Sequence, residues 1–279
     1  MEAMNFKITQ PKNRELKKVI EYFLFIQTTN EGLIHNYTTY PNNNCCLALY
    51  KSNRIIWNKA ANSCAISNDP SGMISSKLYG WHNKPFKVSI TGSLDQVCIL
   101  FNITGLSQFT PKALHQISLE DDPFSEIFGF DKNYFKKQLF ATDCIQKRTE
   151  LLQDFLVQQI KPRPIALMQS YIDHVGGSIM NNGHKSKNFC KENNISESTL
   201  FRASLEMIGE SPKDIMTKYR FRMFLNHLNT NSKLTDIAYL LNYSDQSHLI
   251  KEVNKFTGLS PRKFASSIKK EENNLVVTY

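Results

Sequence analysis

The apolar positions of the first half of the chain follow two periods. Over residues 14–27 they recur at the spacing of an amphipathic helix, although residues 22–26 fit a strand equally well. From about Tyr40 to Ile103, short β-prone runs alternate with turn-rich clusters. The runs cover residues 45–50, 54–57, 74–81, 87–90 and 97–103. This alternation predicts a small antiparallel sheet or barrel.

Helical spacing returns at residues 124–128, 133–141 and 145–160, so the first half is predicted to be α+β. Asp121, Asp122 and Pro123 are interpreted as a turn and cap rather than a catalytic pair of carboxylates. The last helix carries a broad apolar stripe, made of Leu151, Leu152, Phe155, Leu156 and Ile160. The stripe either packs on its own sheet or forms the seam of a homodimer.

Two prolines, Pro162 and Pro164, mark a boundary, because the residue before a proline is pushed away from helix. A new helix is predicted at residues 165–175, where Gly176 and Gly177 end it, followed by a polar loop at 178–185. From there to about residue 270 the period is helical, with no strand pattern. The expected domains are an α+β domain at 1–162, an all-α domain at 165–270 and a tail at 271–279.

Residues 200–215 (LFRASLEMIGESPKDI) and 249–264 (LIKEVNKFTGLSPRKF) look like two copies of one segment, offset by 49 positions. The matched pairs are Leu200 with Leu249, Arg202 with Lys251, Gly209 with Gly258, Ser211 with Ser260 and Pro212 with Pro261. Each copy follows a short helix and a turn. This is the helix-turn-helix arrangement, which places its second helix, the reading helix, in a DNA groove.

The second unit (residues 234–257) has a predicted supporting helix at 234–241 and a reading helix at 245–256. Its inward positions are Ile237, Ala238, Leu241, Leu249, Val253 and Phe256. Asn242 stands at the turn, where asparagine tolerates the left-handed conformation. Ser244 and Asp245 are good N-caps for the reading helix.

The first unit (residues 186–208) follows the same plan, with a supporting helix at 187–193, a cap at Ser196 and a reading helix at 197–207. Phe189 and Cys190 match Ile237 and Ala238. A polar Ser204 on the inward face predicts a unit that is looser or packs differently. A linker helix at 213–228 joins the units, with apolar positions at Ile215, Tyr219, Met223 and Phe224. Gly209 and Gly258 suit left-handed caps.

The outward side chains of the two reading helices are the candidates for DNA contact. They are Ser196, Glu197, Ser198, Thr199 and Arg202 in the first unit, and Asp245, Gln246, Ser247, His248, Lys251 and Lys255 in the second. The fork of Arg202 suits guanine, against a phosphate contact or a surface ion pair. Gln246 can pair with adenine, against a solvated helix face. Lys255 faces phosphate or solvent, and His248 packs or contacts phosphate.

Composition adds little to this picture. The chain has 279 residues, enough for two domains with separate cores. Its net charge of +9 suits a nucleic-acid partner, but the basic excess is spread evenly over both halves. The polar N-terminus has no signal-peptide character, and no run approaches the roughly 20 apolar residues of a membrane helix. A cytoplasmic protein without membrane contact is expected.

Enzymatic chemistry finds no support in the sequence. The six cysteines include no C-x-x-C pair, which argues against a zinc site and a disulfide framework. The seven histidines form no ligand set, and His35, His82 and His115 are interpreted as ordinary hydrogen-bonded residues. We therefore expect no catalytic residue, no metal and no cofactor. Trp57, Tyr79, Trp81 and Phe101 either line an effector pocket or belong to the core.

The C-terminal hundred residues resemble the AraC/XylS family of bacterial transcription regulators. The resemblance rests on Ile237-Ala238, on the run from Asn242 to Leu249 (NYSDQSHL) and on the run from Gly258 to Phe264 (GLSPRKF). This chain departs from the family at Asn194 and Asn242, where glycine is usual. It also departs at Ser204, Leu249 and Val253, where phenylalanine is usual.

The resemblance implies two helix-turn-helix subdomains joined by a linker helix, and binding to asymmetric sites near promoters in the major groove of double-stranded DNA. It also implies a transcription activator that contacts RNA polymerase. The N-terminal half more faintly resembles sensor-like domains that bind a small effector, dimerise, or both. One alternative is an effector-independent regulator whose N-terminal domain serves protein–protein contact. A remote alternative, an alkyl-transfer DNA-repair protein, would need the paired cysteines that this chain lacks.

Overall fold

The computed structural model describes residues 4–80, 82–112, 114–117, 120–179, 186–228, 233–267, 269–270 and 276–278. The chain divides into two compact units. The first comprises Met1–Thr38, Asn44–Gly80 and Phe86–Arg163, and the second comprises Thr39–Asn43, Trp81–Pro85 and Pro164–Tyr279.

Strands and short helices build the first unit. The elements are β1 (Asn5–Thr9), α1 (Arg14–Lys17), β2 (Ile20–Thr28), β3 (Ile34–Thr39), β4 (Cys45–Lys51), β5 (Asn53–Asn58), β6 (Ser63–Asn68), β7 (Ile74–Gly80), β8 (Phe86–Thr91), β9 (Leu94–Phe101), a 3₁₀ helix (Gly105–Gln108), α2 (Leu114–Ile117), α3 (Pro123–Phe128), a second 3₁₀ helix (Phe130–Lys132), α4 (Asn133–Leu139) and α5 (Ile145–Gln159). The predicted α+β class is confirmed.

One sheet has the strand order β1-β2-β9-β4-β7 and is antiparallel throughout. In a second sheet β3, β8, β6 and β5 are neighbours, and the β6–β8 pair is parallel. A core forms from residues of both sheets, including Leu24, Tyr50, Ile66, Val88 and Cys98.

The helical pattern predicted over residues 14–27 holds only for its first turn. From Ile20 the chain is strand β2, which pairs with β1 on one side and β9 on the other. Both faces of β2 are buried, with Phe23 and Phe25 at most 1% exposed. A central strand covered on both sides reads as a continuous apolar run, which explains the ambiguity of the pattern. Strands β1, β3 and β6 were not predicted, because their polar composition resembles a loop.

The apolar stripe of α5 packs within its own unit. Leu152, Phe155 and Leu156 are buried, and the Phe155 ring stacks on Phe135 with centroids 3.9 Å apart. The same helix carries Arg148, which is fully buried and binds the Asp95 carboxylate with both guanidinium nitrogens at 2.5 and 2.7 Å. These contacts favour the first of the two interpretations of the stripe.

Of the two carboxylates before α3, Asp122 stands at the N-cap position without a side-chain cap bond and instead bonds to neighbouring elements. Asp122 accepts hydrogen bonds from Ser76 Oγ at 2.5 Å and from Lys136 Nζ at 2.9 Å, whereas Asp121 is exposed. The Asp122 carboxylate thereby ties the start of α3 to β7 and α4.

In the described part of the second unit the chain forms helices and a short strand pair. They are α6 (Ala166–Ser178), α7 (Ser186–Glu192), α8 (Glu197–Met207), α9 (Pro212–His227), α10 (Leu234–Leu240), α11 (Gln246–Thr257), α12 (Pro261–Ser267), β10 (Lys269–Lys270) and β11 (Val276–Thr278). The predicted helical domain with two helix-turn-helix subdomains and a linker helix is confirmed.

Two expectations about this unit were wrong. Helix α6 continues through Gly176 and Gly177 to Ser178, so the two glycines do not end it. The predicted loop at 178–185 therefore begins later, and its residues 180–185 lie outside the described part. Near the end of the chain β10 and β11 pair antiparallel, although no strand was predicted there. The Val-Val-Thr run of β11 has the β-branched composition that favours a strand.

Candidate nucleic-acid interface

The same turn introduces both reading helices, α8 and α11. Asn194 and Asn242 have positive φ angles of 52° and 55°. The amide that follows each asparagine donates to a carbonyl five residues earlier, Ile195 to Cys190 at 3.0 Å and Tyr243 to Ala238 at 2.9 Å. This left-handed residue with its bond back into the helix is the Schellman arrangement, which ends one helix and redirects the chain into the next. The left-handed conformation expected for Asn242 is confirmed.

Side-chain caps start both reading helices. Ser196 Oγ accepts from the Thr199 amide at 3.0 Å, and the Asp245 carboxylate accepts from the His248 amide at 2.8 Å. The hydrogen bond from the His248 amide holds the pKa of the Asp245 carboxyl below its usual value, because it favours the ionised form. Both predicted caps are confirmed, and contact of either side chain with DNA stays a prediction.

Apolar contacts fix the supporting helices against the reading helices. Phe189 and Cys190 of α7 are buried, as are Ile237 and Ala238 at the matching positions of α10. On the reading helices Leu200 is 1% exposed and Leu249 is fully buried. Since one side of each reading helix is covered in this way, the other side faces outward.

Ser204 is fully buried and hydrogen-bonded rather than a defect of the first unit. Its hydroxyl donates to the Glu210 carbonyl at 2.5 Å, across the turn between α8 and α9. Gly209, with φ at +83°, supplies the left-handed residue of this turn. The inward serine forms a hydrogen bond where the matching Val253 makes apolar contacts. The first helix-turn-helix unit therefore packs differently from the second.

A buried ion pair holds linker helix α9 to the turn that precedes it. Lys218, fully buried, binds the Glu210 carboxylate, which is 7% exposed as a side chain. Burial raises the pKa of the Glu210 carboxyl and lowers the pKa of the Lys218 ammonium, so desolvation outweighs the mutual attraction.

A second ion pair holds α9 to α11, the reading helix of the second helix-turn-helix unit. Arg220 donates to Glu252 of α11 at 2.7 Å, and its guanidinium lies 4.6 Å from the centroid of the Tyr243 ring. The Tyr243 hydroxyl also donates to Glu252. Burial and the Glu252 carboxylate raise the pKa of that hydroxyl. Sequence reasoning missed this network, because Glu252 falls among outward polar residues in the helical pattern.

The apolar pattern of α9 was only partly predicted. Ile215 and Phe224 are buried, but Tyr219 and Met223 are half-buried. Two residues outside the predicted set, Phe221 and Leu225, are buried in their place. Apolar positions therefore lie around most of the helix instead of along one stripe.

The outward face of each reading helix carries most of the predicted contact residues. Ser196, Glu197, Ser198, Arg202, Asp245, Ser247, His248, Lys251 and Lys255 are exposed, and Thr199 and Gln246 are half-buried. The structure thus brings two sets of polar and cationic side chains to the outward faces of α8 and α11. His248 packs its ring edge-on against Tyr243, with centroids 5.3 Å apart.

Gln246 lies in a groove of about 450 Å³ beside the start of α11. Two cations that the sequence pattern did not single out, Lys233 and Arg262, line the same groove. Only their neighbourhood in the fold reveals them, since they lie 29 positions apart in sequence.

The aromatic candidates for an effector pocket lie in two different environments. Trp57 is 38% exposed and stacks on Tyr79, with ring centroids 5.6 Å apart. Phe101 is fully buried against Phe109 and belongs to the core. Trp81 and the side chain of His115 lie outside the described residues.

A buried polar group lies next to this aromatic pair. The Tyr50 hydroxyl donates to the Tyr79 hydroxyl at 2.9 Å and accepts from Gln96 Nε2 at 3.1 Å. Gln96 is 5% exposed, and its Oε1 has no hydrogen-bond partner among the described residues.

Among the residues that the structure describes, no group of three or more His, Cys, Asp or Glu side chains is placed to hold a metal ion. Within the same residues no helix combines the length and apolarity that a membrane span requires.

Comparison with known proteins places the second unit. A family profile described as a helix-turn-helix domain matches residues 189–267. The curated proteins gave no match. Among solved structures, unsaturated fatty acid-bound ToxT from Vibrio cholerae strain SCE256 is 14% identical, with 87% of this chain and 94% of that one covered and a TM-score of 0.43.

Two further solved structures match a smaller share of this chain. The C-terminal domain of AraT, a response regulator from Geobacillus stearothermophilus, is 18% identical, covers 40% of this chain and 93% of its own, and has a TM-score of 0.37. A probable AraC family transcriptional regulator from Rhodopseudomonas palustris CGA009 is 16% identical, covers 36% and 94%, and has a TM-score of 0.32.

Residues 189–267 are a helix-turn-helix domain, the class of domain that binds DNA. The helix-turn-helix part of the resemblance drawn from the sequence is thereby confirmed.

Proposed function

We propose that this chain regulates transcription by reading a two-part DNA site, with α8 and α11 each in a major groove. The proposal rests chiefly on the repetition of one geometry. Both reading helices follow a left-handed asparagine, begin at a side-chain cap, and turn polar and cationic residues outward while the opposite face is buried. Grooves on one face of DNA recur every ~34 Å, and α9 would set the separation of the helices to match.

Base recognition is assigned to Arg202 and Gln246. Arg202 is exposed on α8, where its guanidinium can donate two hydrogen bonds to a guanine. Gln246 is the first residue of α11, and its amide can pair with an adenine. Phosphate contacts from Lys251 and Lys255 would supply much of the affinity and a strong dependence on salt.

The compact unit that contains strands β1 to β9 is proposed as the regulatory part. The environment of Gln96 is the observation that favours a small effector. Its buried, unpartnered Oε1 beside the Tyr50 hydroxyl could accept a hydrogen bond from a ligand with an apolar body. We place the regulator in the cytoplasm, where it would contact RNA polymerase. A homodimer is compatible with this arrangement.

Native mass spectrometry of the full-length protein tests the regulatory proposal. A small-molecule adduct on the wild type that is absent from Gln96→Leu would support an effector. A dimer without any adduct would support the alternative, in which the first unit serves protein–protein contact.

Selection of binding sites from random DNA with the full-length protein tests the DNA-binding proposal. A site with two preferred patches about one helical turn apart is expected. A single short patch would limit sequence reading to one helix, and no enrichment would contradict sequence-specific binding by the protein alone.

Alanine variants then test the assignment of the bases. Arg202→Ala or Gln246→Ala should cost about 1–3 kcal/mol on the best site and relax the preference at one position. Arg54→Ala is the matched control, since Arg54 is an exposed cation of the first unit. If both variants weaken binding equally on all sequences, the two residues contact the backbone and the assignment is wrong.

A further inference from the structure

Helix α8 exposes two large apolar side chains on its outward face. Phe201 is 47% exposed and Leu205 is 39% exposed. With Ser198 and Arg202 they occupy positions i, i+3, i+4 and i+7, so the four side chains form one stripe along the helix. The opposite side of α8 is covered, since Leu200 is almost fully buried. The stripe is therefore an apolar surface bordered by a hydroxyl and a guanidinium.

Helix α11 repeats three of these four positions, whereas the fourth, Leu205, is matched by the polar Asn254. At the offset of the repeat, Ser247 matches Ser198, Ile250 matches Phe201 and Lys251 matches Arg202. Ser247 and Lys251 are exposed, and Ile250 is half-buried. A serine, an apolar residue and a cation thus recur at identical positions of the two outward faces. A patch that happened to remain uncovered on one helix would not require this repetition.

DNA offers one apolar group to a helix in the major groove. It is the 5-methyl group of thymine, and phenylalanine and aliphatic side chains recognise it by direct packing. Arg202 is adjacent to Phe201 and offers a fork that suits the guanine edge. A cation inside the apolar stripe fits a polyanionic partner better than an apolar protein surface.

We infer that Phe201 is a specificity-determining residue, which packs on a thymine 5-methyl group beside the base that Arg202 contacts. The inference rests on the proposed function, because it requires α8 to lie in a major groove. It adds a recognised base step in the first patch of the DNA site, a thymine next to a guanine. Ile250 would contact a second thymine methyl group in the other patch.

Uracil substitution tests this contact at the level of one methyl group. Each thymine of the selected site is replaced in turn by deoxyuridine, which lacks only that methyl, and the affinity of the full-length protein is measured. Burial of one methyl is worth about 0.8 kcal/mol, so the wild type should lose about fourfold in affinity at one thymine of the first patch. Phe201→Ala should bind the thymine and uracil sites equally, and Ile250→Ala should do the same for the second patch only.

Phe130→Ala is the matched control, because Phe130 is 70% exposed on the first unit and should leave the uracil effect unchanged. Circular dichroism checks that the variants are folded. A wild type insensitive to uracil at every thymine would overturn the inference while leaving DNA binding intact. A Phe201→Ala variant that alters the oligomeric state but keeps the uracil effect would make the stripe a protein-docking surface. Failure to select any site would remove the proposed function and this inference together.

Discussion

Replacement of Lys218 by methionine examines the buried ion pair between α9 and the turn that precedes it. Methionine keeps most of the length and bulk of the lysine stem but removes its charge. The Glu210 carboxylate, almost fully buried, would lose its cationic partner. Already in the wild type, burial raises the pKa of this carboxyl. Without Lys218 the pKa should rise further, until the folded protein binds a proton at neutral pH.

The cost follows from the chemistry of that proton. Protonating a carboxyl of ordinary pKa 4.5 at pH 7 costs about 3.4 kcal/mol, at about 1.36 kcal/mol per pH unit. This agrees with the roughly 3–5 kcal/mol lost when one partner of a buried pair is removed. At pH 5 the same protonation costs only about 0.7 kcal/mol.

The sign of the pH dependence follows from linkage. In the variant the folded-state pKa of Glu210 lies above its unfolded value, so the protein is penalised more as the pH rises. The deficit against the wild type should therefore be largest at pH 7 and should shrink towards pH 5.

Urea unfolding followed by circular dichroism at both pH values measures this deficit. Hydrogen exchange over residues 197–225 tests whether the loss of stability lies in α8 and α9, around the ion pair. Lys213→Met, an exposed lysine of the same helix, is the control and should change stability by no more than about 0.5 kcal/mol. Glu210→Leu combined with Lys218→Met should recover wild-type stability or exceed it. A loss below about 1 kcal/mol for Lys218→Met at pH 7, or a deficit independent of pH, would refute the reasoning.

Three other predictions concern the turn, the first unit and the DNA backbone. Asn242→Ala should lose about 1–2 kcal/mol of stability in urea titrations, because alanine resists the left-handed conformation. Asn242→Gly should lose less, and equal losses would assign the effect to the side-chain bond to the Ile179 carbonyl. Arg148→Met should cost about 3–5 kcal/mol by leaving the Asp95 carboxylate without its buried partner, and an unchanged near-ultraviolet dichroism melt would contradict this. Lys255→Ala should lower the slope of log affinity against log salt by about one, and an unchanged slope would remove Lys255 from the phosphate contacts.

The helices of the compact unit that contains both helix-turn-helix motifs were predicted well, because their signals are local. Gly209 and Gly258 both have positive φ, and Ser196 and Asp245 cap helices as expected. Turns and caps are decided by residues within a few positions of one another, so a single sequence carries them.

The compact unit that contains strands β1 to β9 shows which contacts a single sequence does not predict. Strand β6 carries only two inward apolar residues, Cys64 and Ile66, and pairs in parallel with β8. A short run of this kind has no periodic signal, and its pairing depends on a distant strand. The buried Arg148 has the same cause, because its partner Asp95 lies 53 positions away. Contacts that close over such separations leave no mark in local spacing.

Helix α9 shows both a local signal that the sequence carries and long-range contacts that it does not reveal. The sequence predicts an amphipathic connector, but its buried residues point to several sides. Phe221 packs on Phe256 of α11 with centroids 5.0 Å apart, while Lys218 binds Glu210 in the preceding turn and Arg220 binds Glu252 of α11. Lys218 and Arg220 are two positions apart, so they project about 200° from each other around the helix. Movement of α11 relative to α9 would have to break both the Arg220–Glu252 ion pair and the Phe221–Phe256 packing. The position of the second reading helix relative to α9 therefore depends on contacts that no local spacing in the sequence reveals.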